Sequence, residues 1–218
     1  MNKISVYFMP GLAASPTIFE RISLPQDQFE IILLEWEIPF PEETLSQYAK
    51  RIALKVTHEN PVLIGVSFGG ILVQEMAQFL NVSKLIIISS VKKNQEFPVH
   101  LKIAKTTKAY KLIPTSLLLN IEDLAKFSFG KKISAKIKLY EKFLSVRDIH
   151  YLDWAIEQVI LWDRTITDPN VIHIHGDADE VFPIKNIQNS IVIKGGTHVM
   201  ILTKYKWLNE NLPRIILG

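Results

Sequence analysis

The sequence predicts an α/β fold, a mostly parallel six-stranded sheet with helices on both faces and a helical segment inserted between its fourth and fifth strands. Three observations predict it. Six short runs rich in Ile, Val and Leu recur along the chain, amphipathic segments separate most of them, and one interval of about 75 residues reads as wholly helical. Strands covered on both faces of a parallel sheet read as nearly continuous apolar runs. Alternation of such strands with helices implies right-handed crossovers within one sheet.

The first run is Ile4–Met9, ended by Pro10 and Gly11, and the second is Glu30–Trp36. A helix is predicted over Glu42–Thr57, where Leu45, Ala49, Ile52 and Val56 are spaced by 4, 3 and 4 and form one buried stripe. The third strand, Pro61–Val66, leads directly into a helix over Gly69–Leu80, and the fourth strand is Lys84–Ser89. From Val91 to Thr165 the candidate helices are Leu101–Leu112, Ser116–Phe127, Ala135–Leu144 and Asp148–Trp162. In the last of these, Ile149, Leu152, Ile156 and Val159 recur at helical spacing. A crossover needs only one helix, so residues 91–164 are expected to be a cap, or lid, inserted into a core made of residues 1–90 and 165–218. The fifth and sixth strands are Val171–His175 and Ser190–Lys194.

Composition narrows the function classes. A chain of 218 residues is long enough to bury a core without staples. With no cysteine, disulfides, thiolate metal sites and a cysteine nucleophile are excluded together. No apolar run approaches the roughly 18 to 20 residues of a membrane-spanning helix. No extended apolar stretch precedes Pro10, so a signal peptide is not expected and a cytoplasmic location is. Charge is uneven: Val91 to Arg147 holds 13 of the 25 Lys and Arg but only 4 of the 22 Asp and Glu. Those lysines alternate with Leu, Ile, Phe and Tyr, the pattern of a solvated helix face and not of a nucleic-acid partner surface.

The strongest chemical signal is Gly65-Val66-Ser67-Phe68-Gly69. A Gly-x-Ser-x-Gly run between a strand and a helix makes a sharp turn with the serine hydroxyl at its apex, and a Cβ at either flanking glycine would clash there. A serine hydroxyl becomes a nucleophile only beside an oriented base. Two later loops offer the partners: Gly176 to Pro183, containing Asp177 and Asp179, and Gly195-Gly196-Thr197-His198. Both follow strands, and the ends of parallel strands share one edge of the sheet, where residues distant in sequence converge. His58, His100 and His150 lie in polar surroundings, in a loop or near a helix start. His173 and His175 share one strand face and with Asp177 form His-x-His-x-Asp, but Ala178 stands where a di-metal pattern needs another histidine, so no metal and no cofactor is expected.

These residues resemble the α/β-hydrolase family over nearly the whole chain. The resemblance implies a shortened sheet in the order 2-1-3-4-5-6 and the chain order nucleophile, acid, histidine, matched by Ser67, Asp179 and His198. The family's acid often sits in a Gly-x-x-Asp-x-Val-x-Pro turn, which Gly176 to Pro183 fits with Asp179 as acid and Asp177 as a turn residue bonding its own backbone. Ser89-Ser90-Val91 offers no carboxylate at the family's other acid position. Backbone N–H groups of Phe68 and Leu12 are expected to hold the oxyanion; the family's loop often begins His-Gly, and Pro10 replaces that histidine here.

The implied activity is a serine hydrolase cleaving a small or medium-chain carboxylic ester or thioester through an acyl-enzyme. Neutral imidazole is the working base, so the rate should rise with pH. Among Leu117, Leu118, Leu119, Phe127, Phe129, Tyr140, Phe143, Tyr151, Trp154 and Trp162, some are expected to line an acyl pocket above Ser67. The cap lysines would steer an anionic leaving group. Carbon–carbon bond or lactone hydrolysis, perhydrolysis, and a ligand receptor or scaffold with slow turnover are the alternatives the same architecture leaves.

Overall fold

The six apolar runs become the six strands of one sheet: β1 (Ile4–Met9), β2 (Phe29–Leu33), β3 (Val62–Val66), β4 (Lys84–Ile88), β5 (Val171–Gly176) and β6 (Ile191–Ile193). The computed structural model describes residues 3–108 and 142–218. Strand order is β2-β1-β3-β4-β5-β6, and every neighbouring pair is parallel. All of β3 is buried, as is β4 after Lys84, which requires cover on both faces. Adjacent side chains of β1 show what lies on each face. Phe8 packs on the ring of Phe19 in the Pro16–Phe19 turn, while Tyr7 reaches Thr57 and His58.

Six helices are described: α1 (Leu45–Ala53), α2 (Phe68–Met76), α3 (Val99–Thr107), α4 (Ile149–Leu161), α5 (Met200–Thr203) and α6 (Tyr205–Leu217). Helix α2 packs on β1, β3 and β4 with α1 beside it, and α5 packs on α6 and on the Pro16–Phe19 turn. Helix α1 is shorter than its apolar stripe. Thr44 accepts the Gln47 N–H while the Gln47 side chain accepts the Thr44 N–H, a capping box that begins the helix at Leu45. At the other end Val56 remains buried but belongs to the turn after Ala53.

The second strand stops at Leu33 and not Trp36, because Leu33 already pairs with Phe8 near the end of β1. Leu34 makes one more bond to the Phe8 carbonyl at 2.8 Å, and the chain then turns inward. In α4 the buried face is broader than the predicted stripe: Tyr151, Trp154 and Ile160 join Leu152 and Ile156, whereas Ile149 is 45% exposed. Ser116–Phe127 and most of Ala135–Leu144 lie outside the described residues. Helix α6 is an addition to the sequence reading. Leu208, Leu212 and Ile216 make its buried stripe, and Pro213 within it is the breaker signal that conceals it.

Candidate active site

Strand β3 passes into α2 through Ser67, whose backbone has φ 54° and ψ −120°. For a residue with a Cβ this left-handed conformation costs about 1–3 kcal/mol and persists only where its surroundings enforce it. Those surroundings are specific. The Ser67 N–H donates to the Ile88 carbonyl at 2.9 Å, and its carbonyl accepts from the Ser90 hydroxyl at 2.7 Å. The flanking glycines are sterically required: a Cβ on Gly65 would stand 2.2 Å from the Gly69 carbonyl oxygen, and one on Gly69 would stand 2.3 Å from that of Pro10. The turn is therefore wedged between the end of β1 and the start of α2.

The loops after β5 and β6 meet beside it. Gly176 and Gly196 touch backbone to backbone, since a Cβ on Gly176 would lie 2.0 Å from the Gly196 oxygen. This close approach brings His198 to Asp179 and Ser67. The Nδ1 of His198 lies 2.9 Å from Asp179 Oδ2, and its Nε2 lies 2.9 Å from Ser67 Oγ. An ionised carboxylate only accepts, so the imidazole proton sits on Nδ1 and Nε2 is left to accept the serine proton. The other Asp179 oxygen accepts the N–H groups of Val181 and Phe182 at 2.8 and 2.9 Å. Burial pushes the Asp179 carboxyl up, but attraction to His198, their hydrogen bond and the Phe182 N–H together hold it below its ordinary value. Phe182 also sets its ring edge-on to His198 at 5.4 Å.

Asp177 goes elsewhere. Its carboxylate accepts the Gly195 N–H at 2.6 Å, so it ties the two loops together and does not, as expected from the sequence, bond its own backbone. His173 and His175 are buried behind Asp179. The Phe182 carbonyl lies 2.8 Å from His175 Nε2 and can only accept, which puts the proton on that nitrogen and leaves Nδ1 to accept from His173 Nε2 at 3.1 Å. Burial lowers both histidines, His173 to about 2, so both are neutral in the fold. No cluster of three or more His, Asp or Glu suited to a metal ion occurs among the described residues.

The loop after β1 covers the other side of Ser67. An added Cβ on Gly11 would lie 3.3 Å from the Ser67 Cβ. Neither the Leu12 nor the Phe68 N–H has an acceptor among the described residues. A cleft of about 20 Å³ opens beside Ser67 and His198, walled by Leu12, Ile18, Val199 and Leu202. Of the aromatic residues expected above Ser67, Phe143, Tyr151, Trp154 and Trp162 are described, and none borders this cleft. Tyr151 and Trp154 instead pack with Trp36, Tyr48 and Phe68 in a buried aromatic group, and Trp162 donates to Glu75 at 2.9 Å. Sequence reasoning missed Trp36, which bonds this loop; a lone indole after a strand carries no signal of its own. Among the described residues, no helix is long and apolar enough to cross a membrane.

No family model and no curated protein matches this sequence. Solved structures do. An esterase from Exiguobacterium antarcticum superposes with a TM-score of 0.72 at 18% identity, covering 100% of this chain and 93% of its own. A hydrolase from Pseudomonas aeruginosa gives 0.73 at 12% identity, over 99% and 90% of the two chains. A bromoperoxidase from Bacillus anthracis gives 0.67 at 17%, over 100% and 93%. Six parallel strands in this order, the strained turn after β3 and these superpositions lead to one conclusion: the chain has the α/β-hydrolase fold.

Proposed function

We propose that this protein is a serine hydrolase that cleaves a small or medium-chain carboxylic ester or thioester through an acyl-enzyme. The observation that carries the proposal is the continuous hydrogen-bonded set Ser67–His198–Asp179, built on a strained turn at the carboxyl edge of the sheet. In this reading His198 takes the hydroxyl proton as Ser67 Oγ attacks the ester carbonyl, and Asp179 holds the imidazole in the required tautomer. The N–H groups of Phe68 and Leu12 receive the negative charge that develops on the carbonyl oxygen. Collapse of the adduct expels the alcohol or thiol, protonated by His198, and water activated by the same imidazole then releases the acid. The apolar walls of the cleft suit a short acyl chain. In this reading residues 91–164 are the cap, and two bonds support it: Ser15 donates to the Phe143 carbonyl at 2.8 Å and Val146 to that of Ala13 at 3.1 Å, joining residues 143–146 to the Gly11–Ser15 loop.

Labelling with a fluorophosphonate tests the reading without knowledge of the substrate. The wild-type chain is expected to label and to hydrolyse p-nitrophenyl acetate, and Ser67→Ala to do neither, with a loss of about 10⁴-fold or more. Equal labelling of the two would refute the assignment. The bromoperoxidase neighbour brings a second reading, in which hydrogen peroxide in place of water takes the acyl group from Ser67 and leaves as a peracid. Peracid formation from acetate and peroxide measures it directly.

A further inference from the structure

We infer that Trp36 is a positioning residue for the oxyanion site, setting the direction of the Leu12 N–H through the peptide group that Leu12 shares with Gly11. The inference rests on the proposed role of Leu12 and Phe68 as oxyanion donors. Trp36 lies three residues beyond the end of β2, is 7% exposed, and donates its indole N–H to the Gly11 carbonyl at 2.7 Å. That carbonyl and the Leu12 N–H belong to one planar trans peptide and point in opposite directions. A donor that fixes the oxygen on one side therefore aims the nitrogen's hydrogen to the other, and Gly11 and Leu12 both border the cleft with Ser67 and His198.

The peptide on the far side of Leu12 is fixed as well. The Ala13 N–H donates to the buried Tyr151 hydroxyl at 3.2 Å, and Ala13 is held at φ 59°. The Gly11 carbonyl also accepts from the Ala14 N–H at 3.1 Å, a bond internal to the loop that turns with it. Among the described residues, the indole bond, the shorter of the two, is the one hydrogen bond that ties the Gly11–Leu12 peptide to the fold outside its own loop. The same indole lies flat against the Phe68 ring, with centroids 4.8 Å apart and planes 9° from parallel. One side chain thus contacts Phe68, one of the two proposed donors, and the carbonyl of the peptide group that carries the other, the Leu12 N–H. A preorganised donor acts on charge that develops in the transition state and little on the bound ester, so its misorientation lowers kcat and leaves KM nearly unchanged.

Trp36→Phe keeps an aromatic face toward Phe68 and removes the N–H. On p-nitrophenyl acetate it is expected to lower kcat by about 10- to 100-fold, below the roughly 10²–10³ seen when an oxyanion donor is deleted outright. KM should stay within about twofold. A boronic acid, which becomes a tetrahedral anion on the serine, should lose affinity by the same factor as kcat; a residue that only fills space would not link those two losses. If Trp36→Phe does not fold, the benzothienyl-alanine analogue, which replaces N–H by sulfur in the same shape, is judged by the same criteria. Unchanged kcat and boronate affinity, or a loss confined to KM, overturns the role of Trp36. Should the wild-type chain fail to label with fluorophosphonate, it is the hydrolase reading that falls.

Discussion

Acidification is expected to destabilise this fold earlier than its carboxylates alone would, because β5 buries two neutral histidines. His173 is 2% exposed and its imidazole is held down to about 2 by burial first, then by His175 and Lys92. In the unfolded chain the same group titrates near 6.5. Between those values the unfolded state binds a proton that the folded state does not, so stability falls as pH falls, by about 1.4 kcal/mol per unit for one histidine. From pH 6.5 to pH 5 the loss from His173 is about 2 kcal/mol, against a total stability of about 5–15 kcal/mol for a domain. His175 acts in the same direction: burial lowers it, with Asp179 and the Phe182 carbonyl opposing. Glu96 works the other way, since burial raises its carboxyl and the fold takes up that proton before the unfolded chain does. Asp179 enters later: its lowered carboxyl stabilises the fold above the ordinary aspartate range, and that contribution is lost only as pH drops through its folded value. Urea midpoints at pH 8, 7, 6 and 5 measure the slope. His173→Phe should flatten the interval from pH 6.5 to 5 by about 2 kcal/mol relative to wild type. Parallel curves for the two proteins over that interval would refute a buried neutral His173.

Two further outcomes follow from the site. Asp179→Asn keeps an oxygen for the Val181 and Phe182 N–H groups but presents an amide to His198 Nδ1, favouring the wrong tautomer; kcat on p-nitrophenyl acetate should drop by about 10⁴-fold with the far-ultraviolet circular dichroism spectrum unchanged. Gly69→Ala drives a Cβ to 2.3 Å from the Pro10 carbonyl oxygen, a rigid backbone atom, so the urea midpoint should fall by the equivalent of about 3 kcal/mol or more. An alanine there that is accepted at no cost would mean that the turn is looser than its contacts imply.

The strands were legible because burial on both faces leaves no room for alternation, and β3 and β4 are apolar almost throughout. Their ends were less so. Where β2 stops depends on the length of its neighbour β1, and where α1 starts depends on the Thr44 cap, neither of which hydrophobic periodicity reports. Pro213 inside helix α6 hides it from the sequence pattern, and helical spacing puts Ile149 on the buried stripe although α4 leaves it 45% exposed.

At the site, the amino-acid order alone determined which residue types stand after β3, β5 and β6: a serine between glycines, a loop with two aspartates and a histidine after a glycine pair. Local backbone chemistry suffices for that, since a turn so tight admits only glycine at its flanks. The resemblance favours Asp179 as the acid, but only the tertiary structure shows what each aspartate touches, Asp177 the Gly195 N–H and Asp179 His198, because those partners come from the contact of two loops that local sequence does not encode. It also decided what Trp36, Tyr151 and Trp154 touch. Side chains from β2's exit and α4 meet there over a loop from β1, and their packing partners are set by three-dimensional proximity that no local pattern encodes.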